Sequence, residues 1–181
     1  MTMRHPSAGI RHRAVIALGS NLGDREATIR QAVRDIAAVD GVQVTAASGL
    51  VESHAVKLQG VDEDAPGYLN AVILVITALE PEALLDELNR IENRHGRVRE
   101  ERWGDRTLDL DIVAVDDLRI EGERLTLPHP RAGERAFVLA PWAQLDAEAV
   151  IPGRGRVADL LPDVADRVWD YPAEPLMGAR R

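Results

Sequence analysis

The sequence predicts a ferredoxin-like α+β sandwich, in which helices pack on an antiparallel sheet. Short apolar runs alternate with segments of helical period in the order strand, helix, two strands, helix, strand. The 181 residues, 45% of them hydrophobic, are enough to bury the core of one domain. We therefore expect a single domain over residues 13–161, after a flexible leader at 1–12 and before a loosely constrained tail at 162–181.

The first half of the chain contains the first strand and helix and the two strands that follow. Residues 14–18 form a short apolar strand, and the turn after it ends at Asp24, whose carboxylate can cap the next helix. This turn lacks the Gly-Lys-Ser/Thr ending of a P-loop, so we interpret it as architectural. The helix carries Ile29, Val33 and Ile36 on one face. Two further strands are expected, at 42–52 and 68–77.

The second half begins with a helix that opens at Pro81 and runs to about residue 95, with Leu84, Leu88 and Ile91 in its buried stripe. After it we expect, in order, a strand at 108–115, a hairpin through Asp116 and Asp117 to a short strand at 124–127, a helix at 133–144 and a short helix at 157–161.

The most informative stretch is residues 96–111, where arginines and a tryptophan precede two aspartates spaced two residues apart. The alternation of residues 108–112 puts Asp109 and Asp111 on one strand face and the aliphatic side chains on the other. Two carboxylates on one face form an open oxygen site that suits Mg²⁺, which takes one or two carboxylates together with phosphate oxygens and water. The alternative is a solvated strand face whose aspartates pair with Arg102 or Arg106.

Four arginines lie close together in a chain whose formal net charge is −8: Arg97, Arg99, Arg102 and Arg106. Guanidinium groups bind phosphate oxygens bidentately. Beside the acidic pair, the arginines indicate a polyphosphate ligand. The alternative is a solvated loop paired with the neighbouring glutamates. Trp103 could anchor the core or stack on a flat ring.

Composition argues against several classes of protein. The chain has no cysteine, so disulfides and thiolate metal sites are ruled out. No run approaches the ~20 apolar residues of a membrane span, and the first residues lack the apolar core of a secretory signal. The acidic balance argues against a protein that coats nucleic acid. We therefore expect a cytoplasmic protein that binds neither membrane nor nucleic acid.

The motif also carries a family resemblance. The runs G-R-V-R at 96–99 and R-W-G at 102–104, R-T-L-D-L-D at 106–111, L-P-H-P at 127–130 and R-A-F-V-L at 135–139 closely resemble 6-hydroxymethyl-7,8-dihydropterin pyrophosphokinases of folate biosynthesis. The similarity begins with A-L-G-S-N-L-G at 17–23, passes through Y-L-N-A at 68–71 and extends to about residue 161. It therefore covers most of the chain.

The resemblance implies an ATP-dependent diphosphotransferase. Such enzymes transfer the β,γ-pyrophosphoryl group of ATP to the hydroxymethyl group of the pterin and release AMP, with two Mg²⁺ ions. The partners implied are ATP and a hydroxymethyl dihydropterin, and we expect a monomer. Two alternatives stay open: the same chemistry on an altered acceptor, and a catalytically silent nucleotide-binding domain of the same fold.

The resemblance also implies a role for each matching position. Asp109 and Asp111 match the metal ligands, and they form the catalytic group together with Arg97 and Arg106. The positions that match ATP contacts are Arg99, Arg102, Ile112, Arg124, Thr126, His129 and Arg135. The positions that match pterin contacts are Ser53, Val56, Tyr68, Asn70, Trp103 and Phe137. Without the resemblance, Tyr68 and Phe137 could equally be core residues.

The chain departs from the family pattern around the acceptor. Where relatives commonly have Tyr-Glu-Thr-x-Pro-x-Gly, residues 51–57 read V-E-S-H-A-V-K. The segment therefore lacks the usual proline and glycine, and Lys57 stands in place of the flexible glycine. Asp105 stands where proline is usual. These changes leave the ATP and metal half intact and leave the exact acceptor open.

Overall fold

One antiparallel sheet carries the predicted order of strands and helices. The computed structural model describes residues 9–57, 60–62, 64, 67–96 and 107–178. The elements of the first half are β1 (His12–Ser20), α1 (Arg25–Ala37), β2 (Val42–Ala47), β3 (Leu50–Ser53), β4 (Ala55–Lys57), β5 (Gly60–Asp62), β6 (Tyr68–Thr77) and α2 (Pro81–Arg94). Those of the second half are β7 (Asp109–Val115), β8 (Ile120–Glu121), β9 (Thr126–Leu127), α3 (Ala136–Leu145), β10 (Val150–Ile151), β11 (Gly155–Arg156), α4 (Val157–Leu160) and β12 (Val168–Tyr171).

The central sheet has six strands in the order β12, β3, β6, β1, β7, and β2 pairs with the far end of β6 beside β3. Every pairing in it is antiparallel. Strands β2, β6, β1 and β7 with helices α1 and α2 reproduce the strand, helix, two strands, helix, strand order. The predicted ferredoxin-like fold class is therefore confirmed.

Both faces of the sheet are covered. On one face, Ile16, Leu18 and Ile73 belong to the core that includes the buried residues of α1 and α2. On the other face, Ala17 and Val72 belong to a second core that includes the buried residues of α3. Central strands buried on both sides are rich in β-branched and other apolar residues, as β6 is.

The helix starts follow the sequence signals. The Asp24 carboxylate accepts a hydrogen bond from the backbone N–H of Ala27 at 3.1 Å and caps α1, as predicted. The helix α2 begins at Pro81, also as predicted. No helix within the described ranges is long and apolar enough to cross a membrane.

Two strand predictions needed correction. The predicted strand at 42–52 is divided because Ser48 interrupts the ladder: its hydroxyl accepts from the backbone N–H of Val72 at 3.0 Å. The predicted strand at 124–127 is shorter, and its partner is β8 rather than the strand before the Asp116 turn.

The ends of the proposed domain also differ from expectation. His12, which we assigned to the leader, is buried within β1. The tail carries β12, which pairs with β3, and the Arg30 guanidinium donates to the carbonyl of Pro175 at 3.0 Å. The region after residue 161 is therefore attached to the sheet and to α1, a contact that its short strand signal did not reveal.

Candidate active site

Strand β7 presents its two aspartates on one face. Asp109 and Asp111 are half-buried, whereas Leu110 and Ile112 between and beyond them are each 3% exposed and lie in the core with α1 and α2. The predicted alternation is confirmed. The carboxylates therefore lie on the face of the sheet that α3 covers in part.

Small residues of β1 separate these aspartates from β6. Gly19 is paired with Asp109 on one side and with Asn70 on the other, and Ala17 is paired with Asp111. A Cβ atom added at Gly19 would lie 3.2 Å from Oδ1 of Asn70. The absence of a side chain at Gly19 therefore leaves room between the acidic pair and the amide.

The Asn70 side chain is held in one orientation. It is 3% exposed, and its Nδ2 donates to Ser53 Oγ at 2.9 Å and to the carbonyl of Tyr68 at 3.3 Å. These bonds turn Oδ1 toward Gly19. Three residues predicted from the family resemblance therefore lie together at this end of the sheet.

Arg135 stands between the acidic pair and an aromatic ring. Its Nη1 lies 3.6 Å from Oδ2 of Asp111, and its guanidinium carbon lies 5.4 Å from the ring centroid of Phe137. The side chain of Arg135 is only 17% exposed. It occupies the position just before α3, so the start of that helix sets both contacts.

His129 is held beside β7 by its backbone and its ring. Its N–H donates to the carbonyl of Val113 at 2.8 Å, and its Nδ1 accepts from the backbone N–H of Arg131 at 3.2 Å. Burial, and then the charges of Arg135 and Arg154, lower the pKa of His129 to about 4. The ring is therefore neutral near pH 7 and carries its proton on Nε2.

Three predicted ATP contacts make other contacts in this structure. The Ile112 side chain lies on the face opposite Asp111, so only its backbone could reach a ligand there. Arg124 is exposed and pairs with Asp86 and, at 3.7 Å, with Glu82 of α2. Thr126 Oγ1 is 3.5 Å from the carbonyl of Gly122.

Several predicted residues lie outside the described residues, so the structure does not test them. They are Arg97, Arg99, Arg102, Trp103, Asp105 and Arg106, and the side chains of Val56 and Lys57.

Sequence reasoning missed two contributors to the site. Gly19 appeared only as part of a turn motif, and Arg154 was not singled out. Nη1 of Arg154 donates to the backbone carbonyls of His129 and Pro130 at 3.0 and 2.6 Å. The only local signal was the Gly-Arg-Gly run at 153–155, which marks a tight turn but does not predict what the arginine contacts.

The acidic pair can bind a hard cation only if a bound ligand supplies further oxygen donors. Among the described residues there is no group of three or more histidine, aspartate or glutamate side chains that could hold a metal ion. Asp109 and Asp111 supply two carboxylates on one face, and Mg²⁺ commonly binds one or two carboxylates plus substrate phosphates and water. The donor set therefore fits Mg²⁺ that arrives with a polyphosphate.

The fold and this site define a ferredoxin-like domain with an acidic pair on β7, a half-buried arginine beside Asp111 and a histidine whose backbone is bonded to β7. Residues 15–147 match the sequence model of the family described as 7,8-dihydro-6-hydroxymethylpterin-pyrophosphokinase (HPPK). The chain belongs to this family, whose members are diphosphotransferases.

Similar proteins agree with this assignment. The chain is 40% identical over 153 residues to the 2-amino-4-hydroxy-6-hydroxymethyldihydropteridine pyrophosphokinase of Haemophilus influenzae, covering 84% of this chain and 93% of that one. It is 47% identical over 132 residues to the enzyme of the same name from Bacillus subtilis, covering 73% and 77%.

A solved structure shares the fold. The wild-type HPPK-DHPS of Plasmodium falciparum, with pterin and p-hydroxybenzoate, has a TM-score of 0.66 at 14% identity. The match covers 88% of this chain and 44% of that protein, so this chain spans less than half of the Plasmodium chain. At this identity the likeness concerns the fold alone.

Proposed function

We propose that this chain transfers the β,γ-pyrophosphoryl group of ATP to the hydroxymethyl group of 6-hydroxymethyl-7,8-dihydropterin, in folate biosynthesis. The products are the pterin diphosphate and AMP. The observation that carries the proposal is the position of Gly19, which has no side chain and is paired in register with Asp109 on one side and Asn70 on the other. Carboxylates suited to a metal–polyphosphate complex and an amide suited to a heterocycle thus lie on the two strands that flank Gly19.

Asp109 and Asp111 would hold Mg²⁺, and we expect two ions from the family resemblance. When bound, Mg²⁺ neutralises the charge of the triphosphate and orients it for in-line displacement. Two carboxylates fill only part of the coordination of Mg²⁺, so phosphate oxygens of ATP and water would supply the other ligands.

Arg135 and His129 supply fixed donors for the phosphate oxygens. Arg135 is already placed by Asp111 and Phe137, so its positive charge needs little rearrangement when ATP binds. His129 stays neutral and donates from Nε2. The hydroxymethyl oxygen forms a bond to the β-phosphorus, and the bond between that phosphorus and the α,β-bridging oxygen breaks. The bridging oxygen leaves with AMP, and the hydroxyl proton passes to solvent.

Asn70 and Phe137 would bind the acceptor. A flat heterocycle gains from stacking on a ring, and its polar edge needs partners. Because Nδ2 of Asn70 is engaged by Ser53 and Tyr68, its Oδ1 is oriented to accept a hydrogen bond from the pterin edge. The monomeric state and the cytoplasmic location stay predictions from the sequence.

The test is AMP formation by purified protein with a panel of acceptors. We expect AMP only when ATP, Mg²⁺ and hydroxymethyldihydropterin are all present, and none with a 6-methyl pterin that lacks the hydroxyl. AMP formation with another acceptor but not with this one would indicate altered specificity. ATP binding without AMP formation with any acceptor would indicate a silent domain.

A further inference from the structure

We propose that Arg154 is a positioning residue for His129, holding the backbone at 129–130 so that the ring presents its Nε2–H to the triphosphate. The kinetic part of this inference rests on the proposed function. The structural part, the effect of Arg154 on the His129 ring, does not.

The contact is specific to one nitrogen. Nη1 of Arg154 donates to the carbonyl of His129 at 3.0 Å and to the carbonyl of Pro130 at 2.6 Å. One guanidinium nitrogen thus joins two consecutive carbonyls, which fixes the direction of the peptide between them. A cation strengthens both bonds relative to a neutral donor.

The arginine itself is presented by a well-defined turn. Gly153 and Gly155 on either side of it have φ of +74° and +114°, conformations that favour glycine. The backbone N–H of Arg154 donates to the carbonyl of Ile151 at 2.9 Å, and Ile151 is fully buried in the core beneath α3. The side chain therefore extends from an anchored backbone to the surface of the 129–130 segment.

The other bonds of His129 complete the restraint. Its N–H is bound to Val113, two residues after Asp111, and its Nδ1 accepts from the N–H of Arg131. With Arg154 on the carbonyl, the backbone is held on both sides of the ring. The Nδ1 contact, which selects the Nε2–H tautomer, depends on the turn that Arg154 stabilises.

A second arginine in the β10–β11 hairpin does not hydrogen-bond to the 129–130 segment. Arg156 lies two residues further along, is also exposed, and pairs with Glu148 at 2.9 Å. It donates from the same hairpin to a side chain rather than to the 129–130 segment. Arg156 is therefore a matched control of the same residue type on the same element.

The experiment compares Arg154→Met, Arg154→Lys and Arg156→Met in the full chain. Nitrogen-15 NMR of the imidazole groups, with His129 assigned from His129→Ala, reports the tautomer. We expect Arg154→Met to show a mixture of tautomers at His129 and a KM for ATP raised about fivefold, because the hydrogen bond from His129 Nε2–H to the triphosphate would be weakened. Arg154→Lys should restore part of both effects, and Arg156→Met should change neither.

The double variant with His129→Ala separates positioning from direct contact. If Arg154 acts through His129, Arg154→Met adds little to the KM of His129→Ala. An unchanged tautomer in Arg154→Met, or full additivity of the two effects, would overturn the proposal. If the wild type makes no AMP, the proposed function fails, whereas the tautomer measurement still decides the role of Arg154.

Discussion

Asn70 and Asp109 lie on opposite sides of Gly19, each paired in register with it across the sheet. Two strand spacings separate their backbones by ~10 Å. The residue expected to bind the pterin edge and the residue expected to bind metal are thus set apart by a single glycine.

The first prediction concerns this glycine. We expect Gly19→Ala to weaken pterin binding severalfold, because the added methyl group would lie 3.2 Å from Oδ1 of Asn70 and displace the amide. Calorimetry with pterin and an ATP analogue measures the effect. Gly9→Ala, where nothing lies within 4 Å, is the control. Unchanged pterin affinity in Gly19→Ala would contradict the assignment of Asn70.

The second prediction concerns the acidic pair. Asp109→Ala and Asp111→Ala should each nearly abolish turnover and leave the fold intact, because the Mg²⁺ that we propose they hold would contribute several kcal/mol of charge stabilisation. Steady-state rates and thermal unfolding measure the two parts of this prediction. Asp117→Ala, in the exposed turn after β7, is the control. A normal rate in either variant at saturating Mg²⁺ would show that the metal assignment is wrong.

Local signals explain why the shared face of Asp109 and Asp111 and the starts of α1 and α2 could be predicted. The i, i+2 spacing of Asp109 and Asp111 specifies a shared strand face, whatever the neighbouring strands are. The Asp24 cap and the Pro81 start are equally local, and all of these predictions are confirmed. These features depend on residues close together in the chain.

The features that were missed depend on residues far apart in the chain. The carbonyls bound by Arg154 lie 24 and 25 residues away, and the partner of β12 is a strand more than 100 residues earlier. Ile112 shows that a match to the family pattern does not by itself predict where a side chain lies. Its position matches a family contact, yet the pleat that exposes Asp111 buries the Ile112 side chain on the other face.

The third prediction separates the two substrates. Asn70→Ala should weaken pterin binding about tenfold with ATP affinity unchanged, because an unpaired buried partner costs about 1–3 kcal/mol. Phe137→Ala should weaken both, since its ring also contacts Arg135, and a cation–π contact is worth about 0.5–1 kcal/mol. Separate titrations of each ligand measure this. Equal ATP affinity in wild type and Phe137→Ala would contradict the role of that contact.

The fourth prediction concerns stability at the other end of β1. Nδ1 of His12 is 2.7 Å from Oδ2 of Asp116, and this hydrogen bond raises the pKa of His12 despite burial. Burial raises the pKa of Asp116, but the Arg13 N–H and His12 outweigh it and hold that pKa below its usual value. The stabilisation by His12 is therefore complete below pH 6.5 and is lost as pH rises through its raised pKa.

Thermal unfolding from pH 5.5 to 8.5 measures this loss. Wild type should lose more stability than His12→Gln as the pH rises, and Asp116→Asn should flatten the profile in the same way. Parallel profiles for all three proteins would show that the pair does not link protonation to folding.

The central claim is tested most directly by identifying both products of one reaction. The protein is incubated with ATP, Mg²⁺ and hydroxymethyldihydropterin, and the products are followed by phosphorus-31 NMR and mass spectrometry. Pyrophosphoryl transfer predicts AMP and pterin diphosphate in equal amounts. ADP with a pterin monophosphate, or ADP with inorganic phosphate and unchanged pterin, would contradict it.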